Sequence, residues 1–139
     1  MDASLAPYHD HHRELLRLAR EHESRLSPAL VRQHPDLCLA GAQRLVASVK
    51  AHLSMEAAVL FPALLGAMDA DIQATAMGLE SELGDLKDRL RQFTHHWTNP
   101  ESIRLAPNAF IETSMDLLQA LRQRIDREEA RLFPLVERA

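Results

Sequence analysis

His52 and Glu56 stand four residues apart in HLSMEAAVLFPALL (52–65), and Arg124 and Glu128 stand four apart in RIDREEARLFPLVE (124–137). The stretches superpose at a constant offset of 72 positions (124 − 52) and share Glu56/Glu128, Ala58/Ala130, Leu60/Leu132, Phe61/Phe133 and Pro62/Pro134. On a helix, residues four apart lie one turn above each other on the same face. Each copy therefore sets a carboxylate beside a nitrogenous head group. An imidazole has a lone pair to offer a cation, whereas a guanidinium has none and stays protonated at any ordinary pH. The first head group can ligate a cation; the second can only replace one.

Helix-period apolar patterns divide the chain into four long segments, about 4–26, 35–60, 69–97 and 107–132. Between them Pro, Asn, Asp or Gly gather in short stretches. Four such helices with short connections predict one all-α domain over 1–139, an antiparallel up-down four-helix bundle. A proline in each Leu-Phe-Pro predicts that the second and fourth helices stop or bend there. The inward seam of the first segment reads Tyr8, His12, Leu15, Ala19, His22, Leu26, and that of the second Leu45, Val49, His52, Glu56, Val59. The third, Ile72, Ala76, Leu79, Leu83, Leu86, Leu90, Phe93, is apolar throughout. The fourth reads Leu117, Leu121, Arg124, Glu128, with a competing stripe through Leu118, Leu121, Ile125 and Leu132.

The rest of the chain bounds the function. At 139 residues it is long enough to bury a core without metal or disulfide staples. A net charge of −4, with Arg and Glu interleaved, provides no basic stripe for a nucleic acid. A single Cys38, no signal-like start and no apolar run of bilayer length predict a cytoplasmic setting without membrane attachment. His22, His34, His95 and His96 read as hydrogen-bonded core residues, and Met55, Met68, Met77 and Met115 as helix fillers. Trp97 closes the end of the third seam.

His-x-x-x-Glu followed by LFP, a second such segment ending the chain, and an inward His12 near its start resemble the hemerythrin family and its bacterial HHE cation-binding domains. The resemblance implies a bundle holding two non-haem irons, ligated by imidazoles from the four helices, bridged by carboxylates and open to dioxygen. His12 then matches the first-helix histidine, His52 with Glu56 the second-helix pair, and Glu128 the last-helix carboxylate. Two positions depart from the pattern: Leu83, in ELGDL, stands where the third helix carries an imidazole, and Arg124 stands where the fourth motif begins with His. The remaining set, with His11, Glu80 and Glu82 as neighbours able to swing in, suits one iron or another divalent metal rather than two. The resemblance implies a diatomic ligand if iron is bound, and a role in sensing, iron handling or stress protection, with binding ranked above catalysis. The rival expectation is a metal-free structural or interaction module. Two buried carboxylates need a cation, and the Arg124 fork would bridge Glu56 and Glu128 as the counter-ion.

Overall fold

In a computed structural model, which describes residues 4–139, all seven prolines stand in the first turn of a helical segment. There the missing N–H has no intrahelical partner to lose. The order is α1 (Ala6–Glu23), α2 (Pro28–Gln33), α3 (Pro35–Met55), α4 (Phe61–Leu65), α5 (Ala70–Ser81), α6 (Leu83–His96), α7 (Pro100–Leu105), α8 (Pro107–Arg127) and α9 (Phe133–Arg138). Among the described residues there is no strand. α1, α3–α4, α5–α6 and α8–α9 form four long arms. α1 packs on α3, α3 on α6, α6 on α8 and α8 on α1, closing a ring around one core. The stretches expected to be plain connections contain short helices, α2 and α7, which pack on each other. Both are side-chain capped: Ser27 Oγ accepts from the Leu30 N–H at 3.2 Å and Asn99 Oδ1 from the Ser102 N–H at 2.9 Å.

The Leu-Phe-Pro segments do not end their helices. A π-helical turn, Glu56–Leu60, joins α3 to α4, and another, Glu128–Leu132, joins α8 to α9. In each, the phenylalanine N–H reaches back five residues, Phe61 to the Glu56 carbonyl and Phe133 to the Glu128 carbonyl. The next residue is the proline, whose ring would strike the i−4 carbonyl of an ideal α-helix. One widened turn lets the helix continue past it. Each widened turn begins on a seam glutamate. Its larger circumference also rotates the residues beyond: Val59, expected on the seam, is 59% exposed, and Leu60 is buried instead.

The other seam assignments hold. Every third-segment position is buried, and on the fourth arm both competing stripes face inward. The third arm is not one helix, however, but two, broken at Glu82. Pro35–Leu65 is a 31-residue helical stretch with a window of mean hydropathy 1.2, which meets length and apolarity criteria for a bilayer span that the sequence reading found nowhere. Leu45, Val49, Leu53 and Leu60 on it are core residues, and it carries buried His52 and Glu56. A central bundle helix has the same composition. Trp97 is buried, with its indole N–H donating to Thr113 Oγ1 at 3.0 Å. Met68, Met77 and Met115 are exposed rather than packed.

Of the four histidines expected in the core, only His22 is there; His34, His95 and His96 are exposed. His22 Nε2 lies 3.1 Å from Ser114 Oγ. Burial, reinforced by the nearby Arg25, pushes its pKa down to about 4. Between that value and the ordinary histidine range the unfolded chain binds a proton that the folded one refuses. Stability therefore falls with pH across this window, by about 2 kcal/mol at pH 5 relative to neutral. Urea unfolding at pH 5 and pH 7.5 should show that drop in the native chain and lose this share of it in His22→Gln.

Candidate metal centre

Four side chains from three arms converge near one end of the core. α1 supplies His12, α3 supplies His52, and the first residues of the two π-helical turns supply Glu56 and Glu128. All four are buried, the two glutamates completely. His12 Nε2 lies 3.1 Å from His52 Nε2 and 2.8 Å from Glu128 Oε1. His52 Nε2 lies 3.1 Å from Glu56 Oε2 and 3.8 Å from Glu128 Oε1. One donor atom from each residue lies within 4.8 Å of all the others.

Arg124 closes the opposite flank of the two carboxylates. Its Nε donates to Glu128 Oε2 at 2.7 Å, and its Nη2 is 3.6 Å from Glu56 Oε1. The guanidinium also lies over the Phe61 ring, 5.4 Å from its centroid. A third contact accounts for the broken arm. Arg124 Nη1 donates to the Leu79 carbonyl at 2.5 Å, and the same carbonyl accepts from the Glu82 N–H at 3.2 Å. A carbonyl drawn toward a buried cation is withdrawn from the regular i→i−4 ladder, and α5 gives way to α6 at that point. The arm whose seam lacks polar side chains thus contributes a backbone oxygen.

Electrostatically the two glutamates are unequal. Burial would raise both, but His12, His52 and Arg124 surround Glu128 and hold its carboxyl well below the usual range. Burial and the charge of Glu128 push Glu56 up to about 7, with His52 opposing. Burial likewise disfavours protonated His52, yet the adjacent Glu128 and Glu56 outweigh it and carry His52 up to about 9. Neither oxygen of Glu56 has a hydrogen-bond partner among the described residues. Its cationic neighbours, Arg124 Nη2 at 3.6 Å and His52 Nε2 at 3.1 Å, stand beside it without a well-directed hydrogen bond.

Further groups steady the site, and the seam analysis did not find them. Glu129 Oε2 faces His12 Nδ1 at 2.5 Å, so consecutive carboxylates grip the two nitrogens of one imidazole. His9 Nδ1 braces Glu129 at 2.8 Å. Phe133 stacks on His12 at 5.4 Å and 6°, so the duplicated phenylalanines carry His12 in one copy and Arg124 in the other. The signal for Glu129 was present: the second copy reads Glu-Glu where the first reads Glu-Ala. The neighbours expected to swing in do not. His11 and Glu80 are exposed, and Glu82 pairs with Arg127 at 2.5 Å.

A family model for the hemerythrin HHE cation-binding domain matches residues 4–136. The chain belongs to that family. No curated protein and no solved structure matches it significantly. The family is a cation-binding one, and the residues of this hemerythrin domain fit one ion. Bonds of about 2.0–2.2 Å set neighbouring ligand atoms roughly 3–3.5 Å apart, close to the separations around His52 Nε2. The unpartnered oxygens of Glu56 supply the donor such an ion would complete.

Arg124 can be tested without metal. Arg124→Leu removes the guanidinium from a buried carboxylate pair and should cost about 3–5 kcal/mol in urea unfolding at pH 7. Glu128 is depressed in the folded state, so the contribution is full above the ordinary carboxylate range and is lost progressively as pH falls from there through its lowered folded value. The penalty should therefore be smaller at pH 3 than at pH 7; an equal penalty at both pH values would mean that packing, not charge, is what Arg124 supplies.

Proposed function

We propose that this hemerythrin domain binds one divalent metal ion, iron in the first instance, with His12, His52, Glu56 and Glu128 as ligands and Arg124 in the place of a second cation. The observation that carries this reading is Glu56: a completely buried carboxylate whose oxygens take no well-directed hydrogen bond among the described residues, with His52 Nε2 3.1 Å away. Leaving such a group unpaired costs several kcal/mol, which a divalent ion at the four donors would offset. Arg124 explains why one ion is preferred to two. It occupies the side of both carboxylates from which a second ion would bridge them, and Leu83 offers no replacement ligand there.

Iron held by two imidazoles and two carboxylates supplies a Lewis-acid and redox centre with room for a small ligand. The chain orients and shields that centre. Glu129, 2.5 Å from His12 Nδ1, would hold that nitrogen as the donor and leave Nε2 for a metal, and Phe133 and Phe61 pack on His12 and Arg124 beside the site. We read the centre as one that binds or senses a diatomic gas rather than turning over a substrate. A second reading rests on the Arg124–Glu128 contact of 2.7 Å: with Arg124 and protonated His52 balancing two carboxylates, the core is neutral without metal. In that case the domain is a structural or interaction module.

Anaerobic titration of metal-free protein with Fe(II) separates the two. The expected result is saturation at one equivalent, with binding lost in Glu56→Gln and weakened about 10–100-fold in Glu129→Ala, where only an outer partner is removed. Saturation at two equivalents, or no uptake at all, contradicts the single-ion reading.

A further inference from the structure

The two imidazoles of the centre are held very differently. His12 is fixed on both nitrogens, by Glu128 and Glu129, and its ring lies flat on Phe133. His52 meets carboxylates only through Nε2. Its Nδ1 is buried and has no partner among the described residues, and its ring is met edge-on by Tyr8 at 6.4 Å and His11 at 5.7 Å. Among the described residues, no hydrogen bond holds His52 Nδ1 on its outer side.

That outer side is also where a candidate ligand comes close to solvent. A surface pocket of about 180 Å³ between α1 and α3 is lined by His11, Glu14, Leu15, Ser48, Ala51 and His52. His11 and Glu14, three apart on α1, stand on one helix face at its rim. Both are exposed, and Glu14 is shared with Arg17 only through a solvent-screened surface pair. A second approach is mixed in charge. The groove of about 590 Å³ between α6 and α8 leads to Arg124, with Glu82, Asp85 and Asp116 beside Arg89 and Arg127 along its walls. A positive ion would meet a buried guanidinium there.

We propose that the α1/α3 pocket is an outer binding site for a hydrated divalent cation, held first by His11 and Glu14 and passed inward as His52 swings. This rests on the single-ion reading above. A residue on the route but outside the final ligand set alters the barrier and not the end states. Uptake and release must therefore slow by the same factor, and Kd must stay.

Co(II) is a suitable probe, because its visible absorption reports its ligands; uptake is followed after mixing with metal-free protein, and release after adding excess EDTA. Ser48→Leu and Ala51→Leu fill the pocket, and a His11→Ala, Glu14→Ala double variant strips its rim. Each should slow uptake and release about tenfold while Kd stays within about twofold. Gln123→Leu, in the groove beside Arg124, should change neither rate. Unchanged rates at normal affinity in all three pocket variants, or slowing by Gln123→Leu alone, would overturn the port and leave the metal site standing. Failure of the unmodified chain to bind Co(II) would overturn both.

Discussion

Burying two carboxylates side by side in an apolar bundle is the constraint on which this structure depends. Glu56 and Glu128 are inaccessible to solvent, and neither can remain ionised there without positive charge in contact. The neighbouring features are responses to that demand. Arg124 and the two imidazoles converge on Glu128, Arg124 reaches across to Glu56, and the third arm breaks where the Leu79 carbonyl accepts from Arg124 Nη1. Among the described residues no well-directed hydrogen bond reaches Glu56, and the single-ion proposal rests on that deficit.

The π-helical turns connect this electrostatics to the sequence repeat. Each starts at a core glutamate and ends just before a proline, and each adds a residue to the turn without ending the helix. The consequence for the site is specific. Glu129, the second residue of the widened turn, meets the outer nitrogen of His12 on α1, while His52 Nδ1 has no such partner among the described residues. One imidazole is held on both nitrogens and the other on one.

Much of this was legible in the chain. Period and spacing placed His12, His52, Glu56 and Glu128 on inward seams, and the 72-residue offset placed Arg124 inward, where the competing stripe is buried as well. The errors have physical causes. Proline was read as a terminator because an ideal α-helix cannot pass it, and that also misplaced Val59. The break at Glu82 had no local signal, since its cause is a side chain 45 positions away on another arm reaching the Leu79 carbonyl. Glu129 lies one position past the seam, so a helical-wheel argument passes over it although its carboxylate reaches His12 from there. Exposed His34, His95 and His96 show the converse: histidine type without seam position says nothing about burial.

The central claim is that Arg124 takes the place of one cation and leaves room for one ion beside His12 and His52. X-ray absorption of the Fe(II)-loaded protein tests it most directly, because scattering from the first shell and from a second metal are separable. The account predicts a shell containing two imidazole nitrogens and carboxylate oxygens, with no metal–metal contribution. A metal–metal contribution, or a shell without imidazole, would contradict it.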